Sequence, residues 1–232
     1  MALTKEEIKE YKSEEKEAED CTDFSIIADQ LSDAGDKEWA KNLYKKAEEK
    51  ADGFYDFRNL ADSIFEKLGD EEWSRTLYKK AEAMVGDNDF GLLAESVFKN
   101  LDDEEWSRTL YKKAEEKAES YDDFKDLAES LCEILGDKEL ARSLYQKAEE
   151  KAESFRTFID LAESLCEKLG DKEWARILYK KAEEKAVGDE RYHLAQSKSD
   201  YLGESDEEES DIPELNLDDF YKNLPDYESG EN

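Results

Sequence analysis

Apolar positions in residues 22–187 fall on two helical stripes that alternate along the chain. In DFKDLAESLCEILGD (residues 123–137), Phe124, Leu127, Ala128, Leu131 and Leu135 stand at i, i+3, i+4, i+7 and i+11. That spacing lines one side of an α-helix, here helix A. In KEWARILYKKAEEKA (residues 172–186), Trp174, Ala175, Leu178, Tyr179 and Ala182 form a second stripe, that of helix B. The two stripes return on a fixed period. Trp39, Trp73, Trp106, Leu140 and Trp174 are spaced 34, 33, 34 and 34 residues apart, and Phe24, Phe57, Phe90, Phe124 and Phe158 are spaced 33, 33, 34 and 34. A period in this range predicts stacked helix pairs, each too small to bury its own apolar face.

Between A and B stands Gly-Asp, at Gly35-Asp36, Gly69-Asp70, Gly136-Asp137 and Gly170-Asp171. The glycine can end helix A in the left-handed conformation, and the aspartate can cap helix B through backbone N–H groups. Asp102 replaces the glycine in the third repeat, which predicts a strained or rearranged turn there. Ala28, Ala61, Ala94, Ala128 and Ala162 recur in helix A, and Ala47, Ala81, Ala114, Ala148 and Ala182 in helix B. Small side chains at these places let helices approach closely. Tyr44, Tyr78, Tyr111, Tyr145 and Tyr179 recur beside the helix B stripe and read as core, as does the Trp series.

These residues resemble the tetratricopeptide repeat family or its Sel1-like relatives. Phe124, Leu127, Ala128, Gly136, Ala141, Tyr145 and Ala148 fill that family's aromatic, Leu, small, Gly-turn and Ala-aromatic-Ala places. Phe24, Ile27, Ala28, Gly35, Ala40, Tyr44 and Ala47 have the family's spacing. The resemblance covers residues 22–186. It implies an all-α, right-handed α-solenoid of about five helix-pair repeats, with the A helices lining a concave groove.

The ends are degenerate, as caps of an array should be. Residues 1–21 carry an N-terminal capping helix: Thr4 and Glu7 have capping-box spacing, and Ile8 and Tyr11 form a thin apolar stripe. Residues 22–187 hold the five repeats. Residues 188–203 read as a polar copy of helix A, with Leu194-Ala195-Gln196-Ser197 echoing Leu-Ala-Glu-Ser. Twelve helices are expected in all. Residues 204–232 form an acidic tail whose opening, ESDEEES, cannot offset the entropy of folding. Yet Ile212, Leu215, Leu217, Phe220, Tyr221, Leu224 and Tyr227 cluster in residues 212–227. That cluster reads either as a docking motif, with a helix over 217–224, or as a strip packed on the array. The expectation adopted is that it is presented to another protein.

Charge changes the picture. The net charge is −31, of which residues 199–232 carry −12, from 13 acidic residues and one lysine. A field of this sign repels nucleic acid and anionic membrane and attracts basic surfaces; the plainer reading is that it keeps the chain soluble. The first 20 residues are too charged for a secretory leader, and no run is apolar enough to span a bilayer. Cys21, Cys132 and Cys166 are odd in number and lack metal-type spacing, which suits a cytoplasmic, reducing setting.

Chemistry adds little. His193 is the only histidine, and no phosphate loop or nucleophile motif is present. No enzyme, cofactor or metal is expected. Asp87-Asn88-Asp89 lacks the later ligands of a calcium loop. Function should therefore lie in a surface. Two residues after the helix A Leu or Ile come Asp29, Asp62, Glu95, Glu129 and Glu163; six after it come Asp33, Glu66, Lys99, Glu133 and Glu167. Phe65 and Phe98 sit beside them, in register with Ser32, Cys132 and Cys166. This predicts an acidic trough. The plainer reading pairs these acids with Arg75, Arg108, Arg142 and Arg176. The leading expectation is a non-catalytic interaction scaffold for a basic or amphipathic peptide or protein surface. The alternatives are an acidic nucleic-acid mimic that inhibits a DNA- or RNA-binding enzyme, and a scaffold regulated by its own tail.

Overall fold

A computed structural model describes residues 3–86 and 89–203, and every described element is helical. The tail cluster of residues 212–227 lies outside these residues, as do Asp87 and Asn88. The chain divides into two compact units, Met1–Glu116 and Lys117–Asn232. The first holds α1 (Lys5–Glu17), α2 (Cys21–Asp33), α3 (Lys37–Lys50), α4 (Phe54–Leu68), α5 (Glu71–Glu82), α6 (Phe90–Leu101) and α7 (Glu104–Lys117). The second holds α8 (Tyr121–Ile134), α9 (Lys138–Lys151), α10 (Phe155–Ser164), α11 (Lys172–Lys185) and α12 (Glu190–Leu202). A π turn, Leu165–Leu169, continues α10.

The pairing follows the sequence period. In the first unit α2 packs on α3 and α4 on α5, and the A helices α2, α4 and α6 pack in succession. In the second unit α8 packs on α9 and α10 on α11, with α12 against α11. The chain is a helical repeat protein. Each helix B starts on an aspartate: Asp36, Asp70, Asp103, Asp137 and Asp171 each accept a backbone N–H from three residues on, at 3.0–3.2 Å. Each satisfies a donor that the helix itself leaves open. The expected disturbance at Asp102 takes the form of strain without rearrangement. Asp102 itself adopts the left-handed conformation (φ 50°), and its N–H still closes the helix on Phe98 at 2.9 Å.

The core contains the Tyr and Ala series. Tyr44, Tyr78, Tyr145 and Tyr179 are fully buried, and all ten recurring alanines are buried. The Trp series divides. Trp174 is fully buried, but Trp39, Trp73 and Trp106 are half-buried. Each indole N–H donates to a glutamate of the preceding B-type helix: Trp39 to Glu15, Trp73 to Glu48, Trp106 to Glu82, and Trp174 to Glu149, at 2.8–3.0 Å. The same four glutamates accept from Lys46, Lys80, Lys113 and Lys181. A buried indole needs such an acceptor, and here it also joins one repeat to the next.

Candidate functional site

The helix A acids nearest the core are used to join repeats. In the first unit Asp29 accepts the Tyr44 hydroxyl at 2.6 Å and the Ser63 hydroxyl at 3.3 Å. Asp62 accepts Tyr78 Oη, Asn100 Nδ2 (2.9 Å) and Ser96 Oγ (3.4 Å), with the Arg58 guanidinium 3.7 Å away. In the second unit Glu129 accepts Ser164 Oγ and Glu163 accepts Ser197 Oγ, both at 2.6 Å. Each serine belongs to the next A-type helix. The acid of one repeat and the serine of the following one thus form a rung between consecutive A helices within each unit.

Burial shapes the electrostatics of these rungs. It pushes the Asp62 carboxyl above the usual range, against its hydrogen bonds to Tyr78, Ser96 and Asn100 and the charge of Arg58. It also pushes the Tyr44 and Tyr78 hydroxyls far up, with the adjacent Asp29 and Asp62 adding to the shift. These phenols are fixed donors at any physiological pH. Tyr145 is the exception: its hydroxyl is buried and meets no partner among the described residues. In that repeat Glu129 takes Ser164 and Lys125 (3.1 Å) instead.

The second row of acids is more open. Glu66, Glu133 and Glu167 are exposed. Asp33 pairs with Lys67 at 2.8 Å, Glu133 with Lys168, and Glu167 accepts Tyr201 Oη at 3.0 Å. Glu95 lies 3.4 Å from Lys99. Phe65 and Phe98 are half-buried beside this row. The arginines of the plainer reading go elsewhere. Arg75 pairs with Asp103 and Arg142 with Asp171, the caps of the next helix B, while Arg108 and Arg176 pair within their own helices with Glu104 and Glu173. Cys132 and Cys166 are half-buried thiols whose pKa is raised by burial, so both remain protonated.

The structure adds a row that the acid pattern did not reveal. Positions two before and two after the helix A aromatic lie about 160° from it on the helix, opposite the core. In the first unit they hold Ile26 (51% exposed), Tyr55 (53%) and Leu92 (38%), together with Thr22 and Asn59. Tyr55 Oη donates to Asp89 at 2.7 Å, which spans α4 to the start of α6. In the second unit the same positions hold Asp122, Asp126, Arg156 and Asp160. Asp160 is engaged by Tyr121 Oη at 3.0 Å and Lys125 at 3.5 Å. The Asp126 carboxyl is raised first by burial, then by the charges of Glu129, Asp122 and Asp123. The signal was present as the residues flanking each helix A Phe, but one row alternates apolar with polar and has no single residue type to mark it.

Among the described residues no group of His, Cys, Asp and Glu is arranged to hold a metal ion, and no helix is long and apolar enough to cross a membrane. Compared with known protein families and with curated proteins, the chain matches none.

Proposed function

We propose that the chain is a non-catalytic protein-interaction scaffold of the tetratricopeptide type, acting in a reducing, cytoplasmic setting. It takes a basic or amphipathic peptide on the outer face of helix A. The observation that carries this reading is the exposed apolar row Ile26, Tyr55 and Leu92 on three successive A helices. Large apolar side chains exposed on the same face of successive helices offer anchor points to a partner. Around them stand the acids Asp29, Asp33, Asp62, Glu66 and Glu95, with Phe65 and Phe98 half-buried alongside. Asp29 and Asp62 act mainly by fixing the spacing of the A helices. Exposed Glu66 supplies charge that a lysine or arginine of the partner can meet. In the second unit Glu129 and Glu163 play the spacing part, and Glu133 and Glu167 the exposed one.

The test is a peptide array varied independently in charge and apolar content, probed with the full chain. Peptides combining Lys or Arg with large apolar residues should bind. Leu92→Asp should weaken them by about tenfold, as loss of an apolar anchor does, and Glu66→Lys should weaken them in a salt-dependent way. Equal binding of acidic and basic peptides would sink the reading.

A second reading, an acidic mimic of nucleic acid, draws on the second unit, where Asp122, Asp126 and Asp160 replace the apolar row. It requires that a DNA or RNA oligonucleotide compete with this chain for a shared target. Absence of such competition removes it.

A further inference from the structure

α1 stands in the place of a helix B. Its Glu15 accepts Trp39 Nε1 at 3.0 Å and Lys46 Nζ. Glu48 and Glu82 of true B helices do the same for the next repeat. An open cleft of about 270 Å3 lies between α1 and α2. Ala18, Ile26 and Ile27 form its apolar part, and Glu14, Glu17 and Gln30 border it. Gln30 occupies the position from which Ser63 and Ser96 reach back to the preceding A helix.

The charge of α1 is sorted by face. Glu7, Glu10, Glu14 and Glu17 follow one another at 3-4-3 spacing, and all are exposed. Residues at that spacing form one seam along a helix, and Glu14 and Glu17 of this seam line the cleft. Lys5, Lys9, Lys12 and Lys16 fall on the other exposed side. Ile8, Tyr11, Glu15 and Ala18, half-buried, face the protein. Glu10 and Glu14 make no ion pair among the described residues, although four lysines share their helix.

We propose that this cleft receives an amphipathic helix of a partner protein, with lysines or arginines at 3-4-3 spacing against the α1 glutamates and an apolar side chain against Ile26 and Ile27. The inference rests on the reading of the chain as a peptide-binding scaffold and names a mode and a place for it. Charge selects the occupant. A second copy of the chain brings another −31, and the segment 212–227 brings Glu214, Asp218, Asp219 and Asp226 against one lysine. Both are repelled by the seam, whereas a cationic helix is drawn to it. Helix-in-groove recognition supplies the apolar anchor.

The probe is a synthetic amphipathic helix of about 15 residues, roughly four turns, with lysines at 3-4-3 spacing beside leucines. A scramble of the same composition is the control. Titrated into the full chain, the helix should slow hydrogen exchange in α1 and in residues 18–30. Glu10→Lys combined with Glu14→Lys should weaken it about tenfold or more, while Leu92→Asp changes it by less than about twofold. Raising salt should weaken binding. A footprint confined to α4 and α6 overturns this inference and leaves the scaffold reading standing. No binding at any site overturns both. Equal affinity for the scramble, or a self-associated chain with α1 covered, overturns this inference alone. Should the double substitution disturb α1, the footprint on the unaltered chain still decides.

Discussion

Tyr78 and Tyr145 occupy the same place in their repeats, are equally buried, and have opposite hydrogen-bond situations. Tyr78 donates to Asp62 and accepts from Asn100 at 2.6 Å, whereas Tyr145 Oη has no partner among the described residues. A buried hydroxyl without a partner costs about 1–3 kcal/mol, and a satisfied one contributes about 1. Tyr145→Phe should therefore leave stability unchanged or raise it, and Tyr78→Phe should lower it by about 1–2 kcal/mol. Urea unfolding of the two variants checks the pair; equal losses would mean that Tyr145 has an acceptor after all. The turn at Asp102 offers a second comparison. A non-glycine residue in the left-handed region costs about 1–2 kcal/mol, and Asp102 is the one such residue described. Asp102→Gly should raise the melting temperature, with about 1 kcal/mol of gain. At the adjacent Asp103, the hydrogen bonds from Arg75 and from the Trp106 N–H hold the carboxyl below its ordinary range. A depressed pKa means that the stabilisation is present above the unfolded value and is lost as pH falls through the folded one. Asp103→Ala should cost about 1 kcal/mol at neutral pH, the usual loss of an N-cap. In acid titrations the gap between variant and parent should close at pH values below the normal carboxylate range.

At the scale of helices, the alanines decide how closely pairs approach. Ala128 in α8 and Ala148 in α9 have no exposed surface. Leucine at either place has to displace packed neighbours, at a cost of about 1–3 kcal/mol. A thermal melt unchanged by Ala128→Leu would mean that α8 can shift freely against α9. The helix pairs, their caps and their buried faces were all legible in the sequence, because period, Gly-Asp turns and apolar stripes are local signals that repeat. The bonds that tie Trp39, Trp73, Trp106 and Trp174 to a preceding helix were not, because each acceptor is a glutamate 24 or 25 residues earlier. The acids were legible as a row but not as rungs. Asp29, Asp62, Glu129 and Glu163 meet serines 34 or 35 residues later, and a polar pair at that separation looks like two solvated side chains. The serine after each Leu-Ala-Asp, Leu-Ala-Glu or Leu-Ala-Gln was the trace. The row Ile26, Tyr55 and Leu92 was hidden by its mixture with Thr22 and Asn59. The α1 seam was hidden because glutamates are frequent throughout the chain.

For the whole molecule, charge and stability separate by segment. Among the described residues, the buried apolar side chains belong to residues 21–202. Residues 204–232 hold 12 acidic residues against one lysine, so their removal leaves a net charge of −20 out of −31. Like charges destabilise a compact state through mutual repulsion, and salt screens that repulsion over about 8 Å at physiological strength. Deleting residues 204–232 should therefore leave the melting temperature nearly unchanged at physiological salt and raise it slightly at low salt. Binding of a cationic helix to the α1 cleft should survive the deletion, since its glutamates lie in residues 7–17. A partner that recognises Phe220 and Tyr221 should be lost, because those side chains go with the deleted segment. A large fall in melting temperature would instead assign the 212–227 cluster to a packed strip on the repeats. Tighter binding of the cationic helix after deletion would assign the tail to the role of internal competitor for the cleft. Calorimetry at two salt concentrations, with and without the tail, separates these outcomes.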